Sequence, residues 1–432
     1  MNIHQFTRLR NLLVMQLCCI CSLALAAGQH EPITLKTAVV RAIRSNPELA
    51  AAHTRIAVRE AEKRQAGLPP NPRLSYEMEN FGGKGELSAF RSVEQKIALS
   101  QELELGGKRG RRKAVADHGL TIAELGYRAA YLDLAARVET AFFELLAAQR
   151  LDSLATEKVR LAHQVYNTVN ERVKAGKVSP VELARAEVVL SRADIETGRT
   201  EAELISARQG LAATWGAHDA VFGTAEGDFE TIEQPQELTV LVEQLDDGPD
   251  MRIMRQQLAG REAEERLASS HRIPNLEIGA AVKSMRDSGN RAFVAEIGIP
   301  LPLFDRNQGH LAASRQMVAQ AGYESQGKHT ELVADLTATH AALQAAWSEA
   351  LSLRDRVVAG AERVFFATRI GYTEGKFGYI ELLDAQRSLF EARGSYLDAL
   401  RRYHLARIKM NRLLGSENPN VQPSDQENSN DE

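Results

Sequence analysis

Two carboxylates head the last long helical stretch of this chain. Glu381 and Asp384 follow the segment Gly371-Tyr372-Thr373-Glu374-Gly375-Lys376-Phe377-Gly378, whose three glycines signal a turn. Three residues apart on a helix, the two acids share one face. Such a pair can attract a cation, or it can do no more than favour the positive end of the helix dipole. The histidines are scattered. His329 and His340 could share a helix face but lack a third ligand, so no metal centre is read from them. No Gly-x-Ser-x-Gly, His-Glu-x-x-His or phosphate-binding glycine loop occurs. No catalytic constellation and no cofactor site emerge, and the chain does not read as an enzyme.

The element that carries the acidic pair has a strong pattern. Leu382, Leu389, Tyr396, Tyr403 and Met410 recur every seven residues, with Ala385, Ala392, Ala399, Ala406 and Leu413 three places behind them. This is an a/d seam, and its alanine row lets a partner helix come close. The same device occurs earlier. Leu183, Leu190, Thr197, Leu204 and Leu211 form one row, and Ala186, Ala193, Thr200, Ala207 and Thr214 the other. A turn, Lys174-Ala175-Gly176-Lys177-Val178-Ser179-Pro180, precedes that copy as well. The chain is therefore read as two structural repeats of supersecondary size.

Alanine, leucine, glutamate and arginine dominate, as in long helices. The net charge of −4 argues against a nucleic-acid partner. Residues 1–26 read as a secretory signal. Arg8 and Arg10 form its basic region, Leu12–Leu25 its apolar region, and Ala24-Leu25-Ala26 its cleavage site. All three cysteines, Cys18, Cys19 and Cys21, fall inside it, so the mature chain is expected to hold neither disulfides nor thiolate metal sites. The residues before them are not the small ones a lipid-anchor site wants, and no lipidation is expected. No later stretch is apolar enough for a spanning helix, so a membrane crossing would have to be a barrel.

Along the chain, residues 33–45 and 48–66 read as short helices, with Asn46-Pro47 between them and Leu68-Pro69-Pro70-Asn71-Pro72 forcing extended chain after them. Residues 73–80 and 93–99 alternate as strands around a glycine-rich loop. From Gly110 to Ala175 the pattern is helical and proline-free, roughly 100 Å of rod if unbroken. Pro180 opens the next helix in its tolerated first turn. A short helix is expected at Leu238–Leu245. The programme then repeats, with Pro249, alternating strands from Leu276 to Lys283 and from Phe293 to Leu301, and a long helical run from Gly309 whose seam is Leu336, Leu343, Ala350, Val357 and Val364. The predicted organisation is 27–215 as the first repeat, 216–247 as a connector, 248–415 as the second repeat and 416–432 as a disordered acidic tail.

Each half thus reads helix, helix, strand, strand, long helix, long helix. Four strands cannot close a barrel alone, and their edges would be a liability. One apolar and one polar face suits a lipid-facing wall. Three copies would close twelve strands, continued by twelve long helices. The predicted fold is mainly α with membrane β: a helical coiled-coil barrel plus a four-strand contribution to a trimeric outer-membrane β-barrel.

In the order of these elements, from about Thr34 to Leu414, the chain resembles the TolC-type outer membrane factor family. The Asn46-Pro47-x-Leu49 step, the paired strand hairpins, the two glycine-marked turns and the duplication carry the resemblance. Glu104-Leu105-Gly106-Gly107-Lys108-Arg109 followed by Arg112 resembles the branch serving heavy-metal cation efflux (CzcC-like). The resemblance implies a homotrimeric, passive exit duct. It would sit in Gram-negative outer membrane lipid, extend into the periplasm, and dock with a periplasmic adaptor (membrane fusion protein) and an inner-membrane, proton-driven resistance-nodulation-division pump.

The resemblance also implies roles for residues. Glu381 and Asp384 match the acidic pair lining the family's periplasmic entrance, where threefold symmetry makes carboxylate rings. Tyr372 and Glu182 match positions that hold the entrance closed. Phe377 stands where the family pattern has an arginine, which predicts a weaker or more apolar latch. The tips around Gly176, Lys177, Gly375 and Lys376 would meet the adaptor, although glycine there also caps a helix. Lys108, Arg109, Arg111, Arg112 and Lys113 would face lipid head groups or acidic neighbours, or form a solvated charge run. Two other readings stand beside the metal duct: a duct for drugs or type I protein secretion, and a periplasmic coiled-coil scaffold without a barrel.

Overall fold

A computed structural model describes residues 31–87 and 90–416. The expected signal segment 1–26 with its cysteines, and the tail beyond Ser416, lie outside the described residues. In chain order the elements are β1 (Ile33–Thr34), α1 (Leu35–Ser45), α2 (Pro47–Ala66), β2 (Arg73–Glu79), β3 (Glu94–Leu103), α3 (Lys108–Lys174), α4 (Pro180–Ala213), β4 (Ala225–Glu226), α5 (Leu238–Leu245), α6 (Pro249–Ser270), β5 (Leu276–Met285), β6 (Arg291–Gly298), α7 (Gln308–Ser352), α8 (Ala359–Thr373) and α9 (Tyr379–Leu414). A π-helical segment, Leu353–Val358, joins α7 to α8. These elements fall into two compact units, and each unit draws on both halves of the sequence.

One unit comprises Ala51–Arg128 and Asp250–Thr330. Its centre is a four-stranded antiparallel sheet in the order β2-β3-β5-β6, so a strand of the first half pairs directly with one of the second. Successive side chains in a strand point to opposite faces. Tyr76, Ile97, Val282 and Phe293 stand in one register row, and Leu74, Leu99, Ala280 and Ala295 in the next. Among the described residues this face is uncovered, with Phe293 93% exposed. On the other face Lys96 stands directly opposite Lys283. Like charges so paired repel, and carboxylates offset this: Lys96 pairs with Glu296, and Lys283 with Glu94 and, at 3.5 Å, Glu79. β3 runs past the expected Leu99 to Leu103. β6 ends at Gly298, before the expected Leu301, because Pro300 and Pro302 have no N–H to give a ladder.

The other unit comprises the chain up to Ala50, Ala129–Pro249 and everything from Glu331. The α9 seam lies in its core: Leu382, Leu389, Tyr403 and Met410 are buried with Ala385, Ala392 and Ala399, and Leu382, Ala385 and Leu389 pack in one cluster with Leu161 and Val169 of α3, Ala186 of α4 and Phe365 of α8. The expected α7 seam holds for Leu336, Leu343 and Ala350. It fails for Val357 and Val364, which are exposed. A π segment, whose bonds run i to i+5, advances the phase by one residue. The buried row therefore resumes one place later, at Phe365 and Tyr372.

The Asn46-Pro47 step has a physical role in this unit. The Asn46 carboxamide oxygen accepts from the Glu48 and Leu49 N–H groups at 2.9 and 3.0 Å, capping α2, while its Nδ2 donates to the Thr214 carbonyl at 2.8 Å. One side chain thus starts one helix and ties down the end of another. Residues 228–236 of the connector form a strap. Tyr403 Oη both donates to the Glu233 carbonyl and accepts from its N–H, each at 2.9 Å. His404 Nε2 donates to the Phe229 carbonyl at 3.0 Å, and His340 Nε2 to the Gln236 carbonyl at 2.8 Å.

Candidate functional site

The two helical hairpins end at glycine turns. Gly176 (φ +69°) and Gly375 (φ +78°) take the left-handed conformation that closes a helix, with Gly176 N–H donating to Val173 O at 2.9 Å and Gly375 N–H to Tyr372 O at 3.1 Å. Lys177 and Lys376 follow them on exposed turns, Lys376 pairing with Glu374 at 2.5 Å. A cleft of about 640 Å³ brings the two tips together, lined by Asn167, Glu171, Arg172, Lys177, Glu374 and Gly375.

The acidic pair lies just beyond the second tip. Glu381 is exposed in the first turn of α9, and its carboxylate folds back against Gly378, where an added Cβ would lie 2.7 Å from Oε2. That position suits the dipole of α9. Asp384, one turn on, is exposed and pairs with Arg387 at 3.2 Å.

Tyr372 and Glu182 occupy a different environment. Tyr372 is only 2% exposed and lies in the coiled-coil core. Tyr379, equally buried, stands with its ring centroid 6.3 Å away. The Tyr372 and Tyr379 hydroxyls and Glu182 Oε2 are buried without a hydrogen-bond partner among the described residues. Burial pushes the Tyr379 phenol up to about 12, with Tyr372 and Glu182 adding to the effect. Burial also raises Tyr372; Glu182 adds to this and Arg172 opposes it. Phe377 lays its ring on Gly371, where a Cβ would come within 2.2 Å of it.

Sequence reasoning missed Arg172 and Tyr379. Tyr379 lies seven residues after Tyr372, but the turn between them interrupts the helix and hides the period. Arg172 looks like one more surface cation among Glu171 and Lys174. Its Nη1 donates to the Tyr372 carbonyl at 2.8 Å, and its Cζ lies 4.5 Å from the Tyr372 ring centroid.

Most of the basic run after β3 anchors the chain to itself, with Arg112 on an acidic neighbour as expected, while Arg109 and Lys113 stay exposed. Gly106 and Gly107, at φ +72° and +70°, turn the chain so that α3 starts at Lys108, two residues before the expected Gly110. Lys108 is 4% exposed and donates to the Ile273 carbonyl at 2.6 Å and to Asn275 Oδ1. Arg109 donates to the Gly67 carbonyl and Arg111 to that of Arg266. Arg112 grips both oxygens of Glu104 and holds that carboxyl below its usual range, a bidentate pairing. The Glu104–Arg112 motif is thus the knuckle between strand and helix.

Comparison with known proteins adds the following. A family model described as outer membrane efflux protein matches residues 38–217 and 240–416. The cobalt-zinc-cadmium resistance protein CzcC of Cupriavidus metallidurans is 32% identical over 390 residues, covering 90% of this chain and 91% of the relative. The cation efflux system protein CusC of Escherichia coli K12 is 23% identical over 84% of this chain and 82% of its own. Among solved structures, a CusC crystal structure aligns with a TM-score of 0.74 at 20% identity, covering 89% of this chain and 92% of that one. The outer membrane protein VceC of Vibrio cholerae aligns at 0.73 and 17%, covering 88% and 96%.

Proposed function

The chain belongs to the outer membrane efflux protein family, and from that premise we propose that it is the passive exit duct of a tripartite heavy-metal efflux system. The sheet carries this reading. Its apolar face is exposed and its two outer strands, β2 and β6, each have one partner among the described residues. Such edges and such a face need covering. Three copies joined edge to edge make a twelve-stranded wall with the apolar rows in lipid and the Lys96–Glu296 and Lys283–Glu94 pairs in the lumen. The two halves, 27–215 and 248–415 about the connector 216–247, act as copies of one unit in this arrangement. Their four long helices continue the wall into the periplasm.

The metal assignment rests on the relative named for cobalt, zinc and cadmium resistance, supported by the cation efflux relative. In this reading Glu381 and Asp384 form two carboxylate rings at the periplasmic mouth, which concentrate cations without binding them tightly. Tyr372 and Glu182 belong to the latch of that mouth. Gly176, Lys177, Gly375 and Lys376 meet the periplasmic adaptor, and a proton-driven inner-membrane pump supplies the ions and the energy. The duct performs no chemistry.

Deleting the gene tests this. Tolerance to cobalt, zinc and cadmium is expected to fall and to return on complementation, while tolerance to a panel of organic drugs stays unchanged. Sensitivity to the drugs alone contradicts the metal assignment and favours a drug duct.

A further inference from the structure

We propose that Arg172 is the positioning residue that keeps the second hairpin tip seated on the first. The inference rests on reading the tips as the entrance of the duct.

Three observations carry it. First, the Arg172 guanidinium, from the last turn of α3, makes two different contacts with one residue of α8. Nη1 donates to the Tyr372 carbonyl at 2.8 Å, and Cζ stands 4.5 Å over the Tyr372 ring. That carbonyl lies in the last turn of α8, at the negative end of its dipole, where a cation is favoured. The stacked, planar geometry is one that arginine provides and lysine does not. Second, the other polar groups buried at this seat do not hold it: the Tyr372 and Tyr379 hydroxyls and Glu182 Oε2 have no hydrogen-bond partner among the described residues, and the side chains around them form the apolar packing of the coiled-coil core. Third, Phe377 is turned onto Gly371 of its own hairpin. Position 377 therefore makes an apolar contact inside one tip and leaves the hold between the tips to Arg172.

Purified trimers of wild type, Arg172→Lys, Arg172→Gln and Arg172→Ala, reconstituted in planar lipid bilayers, test this. Wild type is expected to give small, steady conductance steps. Arg172→Gln and Arg172→Ala are expected to raise the mean conductance several-fold, with trimer content and thermal stability of the detergent-solubilised protein unchanged. Arg172→Lys, which keeps the charge and loses the stack, is expected to fall between. Tyr372→Leu, which removes the ring and leaves the carbonyl, is expected to match Arg172→Lys. Should Arg172→Ala fail to assemble, the Lys and Leu variants carry the same comparison. A conducting wild type whose Arg172 and Tyr372 variants conduct identically overturns the role of Arg172 and leaves the duct reading standing. A wild type that forms no channel at all overturns the duct reading itself.

Discussion

Gly106→Val is expected to remove nearly all assembled protein from the outer membrane. Gly106 has φ +72°, a conformation that a β-branched residue avoids. A Cβ there would lie 2.9 Å from Ile273 Cδ1 and 3.3 Å from the Ser270 carbonyl oxygen, in the turn that leads out of α6 into β5. The backbone strain costs about 1–3 kcal/mol, and overpacking against Ile273 costs roughly as much again. Their sum is a large part of a typical domain's stability. Because the Ile273 carbonyl also accepts from buried Lys108, pushing Ile273 aside disturbs that ammonium's contacts too. Quantitative blotting of heat-treated and untreated outer membrane fractions reads the outcome. Gly107→Ala, where a Cβ meets nothing within 4 Å, serves as the control and is expected to lose far less. Equal losses for the two variants contradict the packing argument.

The second large effect concerns acid. His404 is enclosed between Phe143, stacked at 4.1 Å and 15°, and Phe229 at 5.4 Å. Burial pushes its imidazole down to about 4; nearby Arg407 works in the same direction, while the Phe229 carbonyl and Asp228 oppose it. In the unfolded chain the group titrates near 6.5. Between those values the unfolded state binds a proton that the folded state refuses, so stability rises with pH through this window. The contribution is fully present above about 6.5 and is lost as pH falls towards 4, a difference of about 3 kcal/mol. His404→Gln keeps a donor for the Phe229 carbonyl and removes the titration. Melting curves of the detergent-solubilised protein from pH 7.5 down to pH 4.5 are expected to show a steeper acid loss for wild type than for His404→Gln. Parallel curves contradict the assignment. The strap of residues 228–236, which His404 holds together with Tyr403, is expected to be the first segment to gain hydrogen exchange as pH falls.

The sequence showed most where a period was strong. The α9 rows could be read because Leu382, Leu389 and Met410 repeat with a step that helix packing requires. The strands could be read because Leu74, Tyr76 and Met78 alternate with polar residues. The α7 seam was readable only up to Ala350. Nothing in Leu353–Val358 announces a π segment, so Phe365 takes the place of Val364 on the buried face, followed by Tyr372. The connector lacks any period, and its fastening depends on Tyr403, His404 and His340, whose partners lie far away in the sequence. Lys108 looked exposed because it opens a charge run. Its burial depends on Ile273 and Asn275 returning to the same corner, a long-range fact that no local pattern holds. Arg172 was hidden for the same reason. At the acidic pair the ambiguity persists in a physical form: Glu381 already favours the start of α9, and its role in a ring comes only with threefold closure.

Three copies of this chain are expected to pool their four-stranded sheets into a conducting wall. The direct test is current through the purified protein in a planar lipid bilayer under a potassium chloride gradient. Stepwise, persistent conductance is expected, with a reversal potential on the cation side that Glu381→Gln with Asp384→Asn shifts towards zero. A protein that stays dissolved without detergent and passes no current would contradict it.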